Sequence, residues 1–525
     1  MDGAYPMDRL DDPQLFIPDI LASHAKWYPD KEAVICGARR ATWQQFNAGI
    51  TRVANGLLAM GIGRGDKVAI AMTNSVEMLE VMFGIVKAGA CAVPLSSLLS
   101  PEAIATLIDD SDACAIFVSA PLDRLVLPGE GALAKLRPDA RFALGFAAPG
   151  WRDLGPWAAA QSEAEPGVRY RMTDDFNIIY SSGTTGIPKG IVQSHKARQH
   201  WAYSNALELR VDRTAKALTT TSLCSNGTFL VMLPALFMGA TLVVMEAFDP
   251  RGFLEILQRE RCTHTFMVPT QWIVTMALPD FDAYDKSSLQ MMLCAGSPLR
   301  GDTKLEIARR FGPNITELYG CSEGLATMLR PAQMEGKIGT VGTPVLGFEL
   351  AIIGNDDREL PRGEIGEIVG YGPGLMTEYY KRPEATADTI WRDAHGRSFI
   401  RTGDIGRLDE DGFLTILDRK KDMIISGGFN VFAIDIETVL GRHPDVLDVT
   451  VIAVPHEKWG ETPLGIVIPR AGAGTPAGEI CAWANELLSK HQRLSGIVFR
   501  EELPRNALGK VLKRELRREF WPAAS

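Results

Sequence analysis

Apolar residues in the first part of the chain follow two alternating patterns. A helical spacing begins behind the capping-box pair Thr42 and Gln45 and ends at Gly61, with apolar residues at Phe46, Ile50, Val53 and Leu57. Short apolar runs predict strands at 68–72, 91–95 and 113–118, and helices are predicted between them at 77–87 and from Ser100-Pro101 onward. This alternation predicts a largely parallel sheet with right-handed crossovers and helices on both faces.

A second alternating series follows the weakly patterned stretch 127–166. Its predicted strands are 176–180, 217–221, 241–245, 265–268, 289–295 and 315–319, and Asp249-Pro250 begins one of the intervening helices. Two such series in tandem predict a pair of packed sheets. From Gly339 to Tyr371, short runs broken by Gly, Pro and the turn 355–357 predict a small β subdomain.

The last part of the chain begins after a charged stretch. The strand predicted at 413–418 runs into Arg419-Lys420-Lys421-Asp422, and enough residues follow it for a small α+β domain. We therefore expect an N-terminal domain at 1–420, with its β subdomain at about 339–418, and a C-terminal domain at 421–525. The predicted fold class is α/β, as a multidomain α+β chain.

Composition and charge argue against a nucleic-acid-binding, secreted or membrane-spanning protein. The 525 residues are 46% hydrophobic and 23% charged, and the formal net charge of −9 gives no basic footprint for nucleic acid. The first ten residues lack a secretory signal, and the apolar run 229–245 is broken by Pro234 and Gly239, short of a membrane span. Eight scattered cysteines without a C-x-x-C pair indicate neither disulfides nor zinc, so we expect a cytoplasmic protein without integral membrane contact.

The first candidate for chemistry is the polar stretch from Tyr180 to Gly190. It follows a predicted strand and combines glycines, hydroxyls and one cation: Ser181, Ser182, Gly183, Thr184, Thr185, Gly186 and Lys189. Exposed N–H groups, hydroxyls and a lysine suit phosphate binding, although Lys189 is followed by Gly190 and not by the Ser or Thr of a Walker loop. The alternative is a Ser/Gly linker, but the loop lies between two β-like runs and not between domains.

Several separated motifs together resemble one family. They are Tyr180–Gly190, Ala295-Gly296-Ser297-Pro298, Tyr319-Gly320-Cys321-Ser322-Glu323, Arg401-Thr402-Gly403-Asp404, Asp418–Asp422, Ser426-Gly427-Gly428 and Pro504–Lys510. In order and spacing they resemble the adenylate-forming enzymes, which include acyl-CoA and aryl-CoA synthetases, peptide-synthetase adenylation domains and firefly luciferase. The resemblance covers nearly the whole chain.

This resemblance implies roles for the motif residues and the cofactors ATP, Mg²⁺ and CoA. The phosphate loop, with Thr184 and Lys189, is expected to hold the triphosphate; Glu323 resembles the Mg²⁺ ligand, and Asp404 the acceptor of the ribose hydroxyls. Further roles are implied for Arg419 at ribose and phosphate, Gly296 and Tyr319 as adenine walls, and Lys510 as the bridge from carboxylate to α-phosphate. Implied nucleotide contacts also include Ala295, Ser297, Gly320, Cys321 and Ser322. Lys421 resembles the hinge of a rotating C-terminal domain, and Gly427 and Gly428 resemble the loop beside phosphopantetheine.

Two departures from the family bear on the acid. Ser322 stands where the family often has Thr, and Cys224 stands where many relatives have a His beside the acyl pocket. The expected acyl-pocket residues are Cys224, Ser225, Asn226 and Phe229. Small Cys224 and Ser225 with polar Asn226 could admit a bulky acid and hydrogen-bond a ring substituent.

The expected activity is an ATP-dependent, AMP-forming carboxylic acid:CoA ligase. Its acid would be aromatic, resembling hydroxycinnamate or benzoate, or a medium-to-long fatty acid. The alternatives are delivery of the acyl group to a carrier protein and an inactive nucleotide-binding regulator on the same fold. A homodimer is plausible for such an enzyme. The other basic residues near Lys510 are expected to form a solvated face: Lys513, Arg514, Arg517 and Arg518.

Overall fold

A computed structural model describes residues 14–127, 130–181, 188–427, 429–505 and 511–521. The α/β class expected from the sequence is confirmed. The chain divides into two compact units. The first unit holds the chain up to Ala206 together with Val211–Thr214 and Met232–Glu246, and the second unit holds Leu207–Arg210, Ala215–Val231 and Ala247–Ser525.

The elements of the first 208 residues begin with α1. The helices are α1 (Ile17–Trp27), α2 (Trp43–Ala59), α3 (Val76–Lys87), α4 (Pro101–Asp110), α5 (Asp123–Val126), α6 (Glu130–Leu133), α7 (Leu154–Ala159) and α8 (His195–Glu208). The strands are β1 (Glu32–Cys36), β2 (Arg39–Thr42), β3 (Lys67–Ala71), β4 (Cys91–Pro94), β5 (Ala113–Ser119), β6 (Arg141–Leu144), β7 (Arg152–Asp153), β8 (Asp175–Ser181) and β9 (Lys189–Ser194).

The rest of the chain continues the alternation and then turns to strand-rich segments. The helices are α9 (Asn226–Met238), α10 (Pro250–Glu260), α11 (Pro269–Met276), α12 (Gly301–Phe311), α13 (Pro383–Asp388), α14 (Ala433–Leu440), α15 (Ala477–Leu487) and α16 (Lys513–Phe520). The strands are β10 (Lys216–Thr219), β11 (Thr241–Val244), β12 (His264–Met267), β13 (Met291–Cys294), β14 (Ile315–Gly320), β15 (Ala326–Leu329), β16 (Thr343–Pro344), β17 (Glu349–Ile353), β18 (Gly366–Tyr371), β19 (Glu378–Tyr379), β20 (Ile390–Arg392), β21 (Ser398–Leu408), β22 (Leu414–Arg419), β23 (Ile424–Ser426), β24 (Phe429–Val431), β25 (Val446–His456), β26 (Gly460–Pro469) and β27 (Gly496–Phe499).

In the first unit, seven strands pair in the order β9-β8-β4-β3-β5-β6-β7. All of these pairs are parallel except β8 with β9. The predicted capping box starts α2: Thr42 Oγ1 accepts from the Gln45 N–H at 3.3 Å, and Gln45 Oε1 accepts from the Thr42 N–H at 3.0 Å. The helix buries Phe46, Ile50, Val53 and Leu57, as its spacing predicts.

In the second unit, six strands pair in the order β16-β15-β14-β13-β12-β10. Strands β10, β12, β13 and β14 run parallel to one another, and β15 returns antiparallel to β14. The carboxyl ends of the four parallel strands therefore lie at one edge of this sheet. In open α/β sheets that edge is where ligands bind.

Two antiparallel sheets complete the second unit. In one, β17, β18, β21 and β20 pair in that order, with β22 on β21. In the other, β24, β23, β26 and β25 pair in that order, with β27 parallel to β26. The second of these sheets has a buried core shared with α14 and α15, which includes Ile436, Leu440, Val451, Val467 and Ile480.

One expectation about the last helix is wrong. Lys513 and Arg517 of α16 do not belong to a solvated face, because their side chains are only 16% and 21% exposed and bind acidic partners. Lys513 Nζ lies 2.8 Å from a Glu437 carboxylate oxygen, and Arg517 pairs with Asp422. Arg514 and Arg518 are exposed, as expected. Among the helices of the described residues, none is long and apolar enough to cross a membrane.

Candidate active site

The predicted site residues of the second unit follow the carboxyl ends of three parallel strands. The segment 220–226 follows β10, Ala295-Gly296-Ser297 follows β13, and Tyr319-Gly320 ends β14. Strands β13 and β14 are direct neighbours, with Cys294 opposite Glu317. The fold therefore brings the two expected adenine walls, Gly296 and Tyr319, to adjacent strand ends.

The turn after β13 needs glycine. Gly296 has φ of +94°, a conformation that costs little only without a Cβ, and it is exposed. Its neighbour Ala295 is buried and Ser297 is half-buried. The turn can therefore present bare backbone to a flat ligand.

A buried ion pair connects strand β14 to helix α12. Lys304 Nζ lies 2.5 Å from a Glu317 carboxylate oxygen and donates to the Ile338 carbonyl at 2.9 Å. Both side chains are nearly inaccessible, at 1% and 6% exposed. Burial raises the pKa of Glu317, and the Lys304 charge opposes that rise. Separating the two charges would leave one of them buried without a partner, which is strongly destabilising. The ion pair therefore holds in place the strand that carries Tyr319.

The β14–β15 hairpin presents Glu323 at its tip. Gly324 has φ of +118°, and a Cβ there would collide with the carbonyl oxygen of Gly374. The Glu323 carbonyl accepts from the Met376 N–H at 2.7 Å, and the Glu323 carboxylate accepts from the Tyr379 hydroxyl at 2.6 Å. Glu323 is half-buried and held at both ends by the segment 374–379.

Asp404 lies on β21 and is only 5% exposed. Its Oδ2 accepts from the Tyr319 hydroxyl at 2.7 Å, and its Oδ1 lies 3.2 Å from Arg419 Nε on the paired strand β22. Burial and the Asp404 charge hold the pKa of the Tyr319 phenol well above its usual range, so the phenol stays protonated and donates. Tyr319, Asp404 and Arg419 thus form one connected group.

Cysteines at this site are protonated thiols. Burial raises the pKa of Cys224 to about 11, and it also raises the pKa of Cys321, where the Glu323 charge adds to the effect. Neither side chain is therefore a nucleophile at neutral pH. Ser322 and Cys321 are half-buried beside Glu323, and Gly320 packs against the Leu325 carbonyl.

Of the expected acyl-pocket residues, Cys224 and Ser225 precede α9, and Asn226 and Phe229 lie in its first turn. Cys224 is 7% exposed and Phe229 only 1%, whereas Ser225 and Asn226 are half-buried. The Ser225 hydroxyl accepts from the Gly227 N–H at 3.3 Å. A Cβ on Gly227 would lie 2.9 Å from the Phe266 ring, so this turn is tightly packed.

The expected hinge and pantetheine residues contact later segments of the chain. The Lys421 carbonyl accepts from an Arg517 terminal nitrogen at 3.1 Å. Gly427 has φ of +59°, donates its N–H to the Trp459 carbonyl at 2.8 Å, and lies under the Trp459 ring. The Trp459 ring is 41% exposed.

The phosphate loop is described only at its two ends. Ser181 ends β8, and its Cα partner is Lys189 at the start of β9. The remaining predicted residues lie outside the described residues: Ser182, Gly183, Thr184, Thr185, Gly186, Gly428 and Lys510.

Two residues of this neighbourhood were not identified from sequence. Tyr379 contacts Glu323, and Arg517 contacts the Lys421 turn. The only signal for Tyr379 is a tyrosine pair ahead of Lys381-Arg382-Pro383, which is also typical of an ordinary turn. Arg517 carries no local signal beyond its charge.

Comparisons with known proteins agree with these features. The profile of the AMP-binding enzyme family matches residues 21–380, and that of the AMP-binding enzyme C-terminal domain matches 435–510. The chain is 33% identical to feruloyl-CoA synthase of an Amycolatopsis species over 501 residues, covering 94% of this chain and 97% of that one. It is 32% identical over 483 residues to the long-chain-fatty-acid–CoA ligase FadD13 of Mycobacterium tuberculosis, covering 92% and 93%.

Comparison with solved structures agrees with the comparison of sequences. The crystal structure of the anthranilate CoA ligase AuaEII in complex with anthranoyl-AMP matches with a TM-score of 0.88 and 26% identity, covering 98% of this chain and 99% of that one. The chain therefore belongs to the AMP-binding enzyme family, as one of its AMP-forming acid–thiol ligases.

Proposed function

We propose that the protein joins an aromatic carboxylic acid to CoA in two steps. A carboxylate is a poor acyl donor because its leaving group would be oxide. In the first step, a carboxylate oxygen attacks the α-phosphorus of ATP, the bond to the β-phosphate breaks, and pyrophosphate leaves. In the second step, the CoA thiol loses its proton to solvent, its sulfur attacks the acyl carbon, and AMP leaves with the bonding electrons.

The residues that serve the first step must bind charge and fix the nucleotide. We assign the adenine to the space between Gly296 and Tyr319, and the ribose hydroxyls to Asp404. The buried, doubly held Asp404 carboxylate supports this assignment, because a fixed two-oxygen acceptor suits a diol. Lys189, Thr184 and Lys510 are assigned to phosphate binding and to the approach of two anions, which needs positive groups.

Glu323 fits the magnesium ion that this family uses. Its carboxylate offers a hard oxygen and is held by the Tyr379 hydroxyl. Among the described residues, no group of three or more His, Cys, Asp or Glu side chains could hold a metal ion. Mg²⁺ is usually bound by one or two carboxylates together with substrate phosphates, so Glu323 would supply a carboxylate of this kind. When bound, the ion would neutralise charge on the phosphates.

For the second step we propose a rotation of the domain at 421–525 about Lys421. It would withdraw Lys510 and bring Gly427 and Gly428 to the phosphopantetheine arm. Closing the site would also exclude water, which protects the reactive adenylate from hydrolysis. CoA as acceptor fits relatives such as feruloyl-CoA synthase and FadD13, and a carrier protein is the alternative acceptor.

The single observation that supports an aromatic acid as the substrate is the composition of the turn after β10. Cys224 and Ser225 are small, Asn226 is polar and half-buried, and the feruloyl-CoA synthase relative acts on an aromatic acid. Small side chains at 224 and 225 take up less of the proposed acid site than larger residues would, and the Asn226 amide can bind a ring substituent. A fatty acid is the second candidate because FadD13, a long-chain-fatty-acid–CoA ligase, is similar to the chain at almost the same identity.

The test is product analysis by mass spectrometry with ATP, Mg²⁺, CoA and a panel of benzoates, hydroxycinnamates and fatty acids. Aryl-CoA with AMP is the expected product, whereas acyl-CoA from fatty acids alone would contradict the aromatic proposal. Acyl-adenylate without thioester would indicate a carrier-protein acceptor. Lys510→Ala should lower adenylate formation by about 100-fold or more while ATP binding stays measurable. An unchanged substrate ranking in Asn226→Leu would remove Asn226 from the pocket.

We also propose a cytoplasmic location, in keeping with cysteines that form no C-x-x-C pair. A homodimer remains a prediction that sedimentation can test.

A further inference from the structure

Two side chains contact the Asp404 carboxylate. Its Oδ2 accepts the Tyr319 hydroxyl hydrogen bond at 2.7 Å, and its Oδ1 pairs with Arg419 Nε at 3.2 Å. The two partners come from different strands, since Tyr319 is the penultimate residue of β14 and Arg419 is the last residue of β22. The carboxylate is thus held from two sides.

The two contacts of the Asp404 carboxylate differ in length and in exposure to solvent. The Tyr319 bond is the shorter one, and the Tyr319 phenol is buried enough to raise its pKa. The Arg419 side chain is 38% exposed, so solvent weakens its attraction. Both contacts involve a carboxylate, so both are stronger than a hydrogen bond between neutral groups. The Tyr319 bond is therefore the shorter and the less solvent-screened of the two, and we expect the orientation of Asp404 to depend on it.

Asp404 also keeps acceptor capacity for a ligand. An ionised carboxylate offers about four lone-pair sites, so contacts with Tyr319 and Arg419 are compatible with two further hydrogen bonds. A ribose presents two neighbouring hydroxyls, each of which can donate one. The number and the fixed spacing of the acceptors match a cis-diol.

Stacking on adenine needs only an aromatic ring, which Phe would supply equally well. The Tyr319 hydroxyl therefore has a task separate from that of its ring. We propose that Tyr319 is a positioning residue for sugar selection: its hydroxyl holds Asp404 in the orientation that accepts both ribose hydroxyls, so that one side chain serves base binding and ribose discrimination together. This inference rests on the assignment of Asp404 to the ribose.

The test compares ATP with 2′,3′-dideoxy-ATP in acid-dependent pyrophosphate exchange, for the wild type and for Tyr319→Phe. The variant keeps the ring and removes only the hydroxyl. We expect kcat/KM for ATP to fall by about 10-fold or more, as for the loss of a hydrogen bond to a charged group, with little change for the dideoxy nucleotide. The preference for ATP should therefore shrink by the same factor.

A matched control removes a different phenolic hydroxyl. Tyr379→Phe deletes the bond to Glu323 and should leave the ratio between ATP and the dideoxy nucleotide unchanged. An equal fall with both nucleotides in Tyr319→Phe would overturn the inference and leave Tyr319 as a wall for adenine only. A wild type that does not discriminate between the two nucleotides would instead remove Asp404 from the ribose, which is a failure of the proposed site.

Discussion

At the residue scale, the candidate metal ligand depends on a neighbour that touches it. The Tyr379 hydroxyl donates to Glu323 at 2.6 Å, and Tyr379 is only 7% exposed. Groups that orient a metal ligand typically change metal affinity by about 10-fold or more when removed. We expect Tyr379→Phe to raise the Mg²⁺ concentration for half-maximal adenylation by about that factor, measured by titrating Mg²⁺ at fixed total ATP.

The control for this variant is Tyr371→Phe, because Tyr371 lies on β18 and is 38% exposed. It should leave the Mg²⁺ requirement as in the wild type. An unchanged requirement in Tyr379→Phe would mean that Glu323 is oriented by its backbone contact with Met376 alone.

Sequence alone predicts Glu323 and Asp404 as candidate site residues but not the contacts that orient them. Both acids stand in motifs that resemble a family, and their residue types suit the chemistry. Tyr379 is 56 residues from Glu323 along the chain, so the contact exists only because β14, β15 and the segment 374–379 pack together. A tyrosine that packs in a core and one that orients a catalytic acid look identical in sequence.

At the element scale, α16 binds the turn proposed as the hinge. Arg517 donates to the carbonyls of Lys421 and Asp422 at 3.1 and 3.3 Å and lies 3.2 Å from the Asp422 carboxylate. These contacts stabilise one arrangement of the turn. Arg517→Ala should therefore change the ratio of the two half-reaction rates by about fivefold or more, corresponding to about 1 kcal/mol.

Each half-reaction can be measured separately, the first by pyrophosphate exchange and the second from a synthetic acyl-adenylate with CoA. Arg518→Ala is the matched control, because it removes the same charge from an exposed position one residue away. Equal effects on both half-reactions in Arg517→Ala would show that the contact matters for stability and not for the hinge.

The basic helix shows why sequence could not resolve this element. A run of Lys and Arg is usually solvated, and its acidic partners Asp422 and Glu437 lie far away in the chain. Only the packed structure brings them to Lys513 and Arg517. By contrast, the predicted start of α2 needed only local information, because the capping box of Thr42 and Gln45 satisfies its own backbone groups.

At the scale of the whole molecule, the C-terminal sheet has the contents of an independent domain. Its buried residues include Ile424, Leu440, Val451, Ile480 and Leu494, all beyond the predicted boundary at 421. A core made within one segment predicts that this segment folds without the rest. We expect a fragment of residues 421–525 to unfold cooperatively on heating, measured by calorimetry and circular dichroism.

A fragment that shows no cooperative transition would place the boundary elsewhere or make the domain dependent on the remainder of the chain. The fragment carrying Ile480→Ala is the negative control, because truncating a buried Ile costs about 2–5 kcal/mol.

The alternating pattern predicted the α/β class because strands and helices of this kind differ in hydrophobic period. It did not predict β1 and β2, which are five and four residues long and pair with each other and, for β1, with β11. Strands this short have too few positions to establish a period. The pairing of β1 with β11, a strand far along the chain, is a property of the folded chain.

The shared edge of the parallel strands has a consequence for how this enzyme could change. The turn after β10 belongs to the proposed acid site, whereas those after β13 and β14 belong to the proposed nucleotide site. Each turn is covalently attached to its own strand, so residues 224–226 could vary while the neighbouring turns keep their backbone. Such a framework lets evolution, or a protein engineer, exchange the acid that is activated without rebuilding the chemistry that activates it.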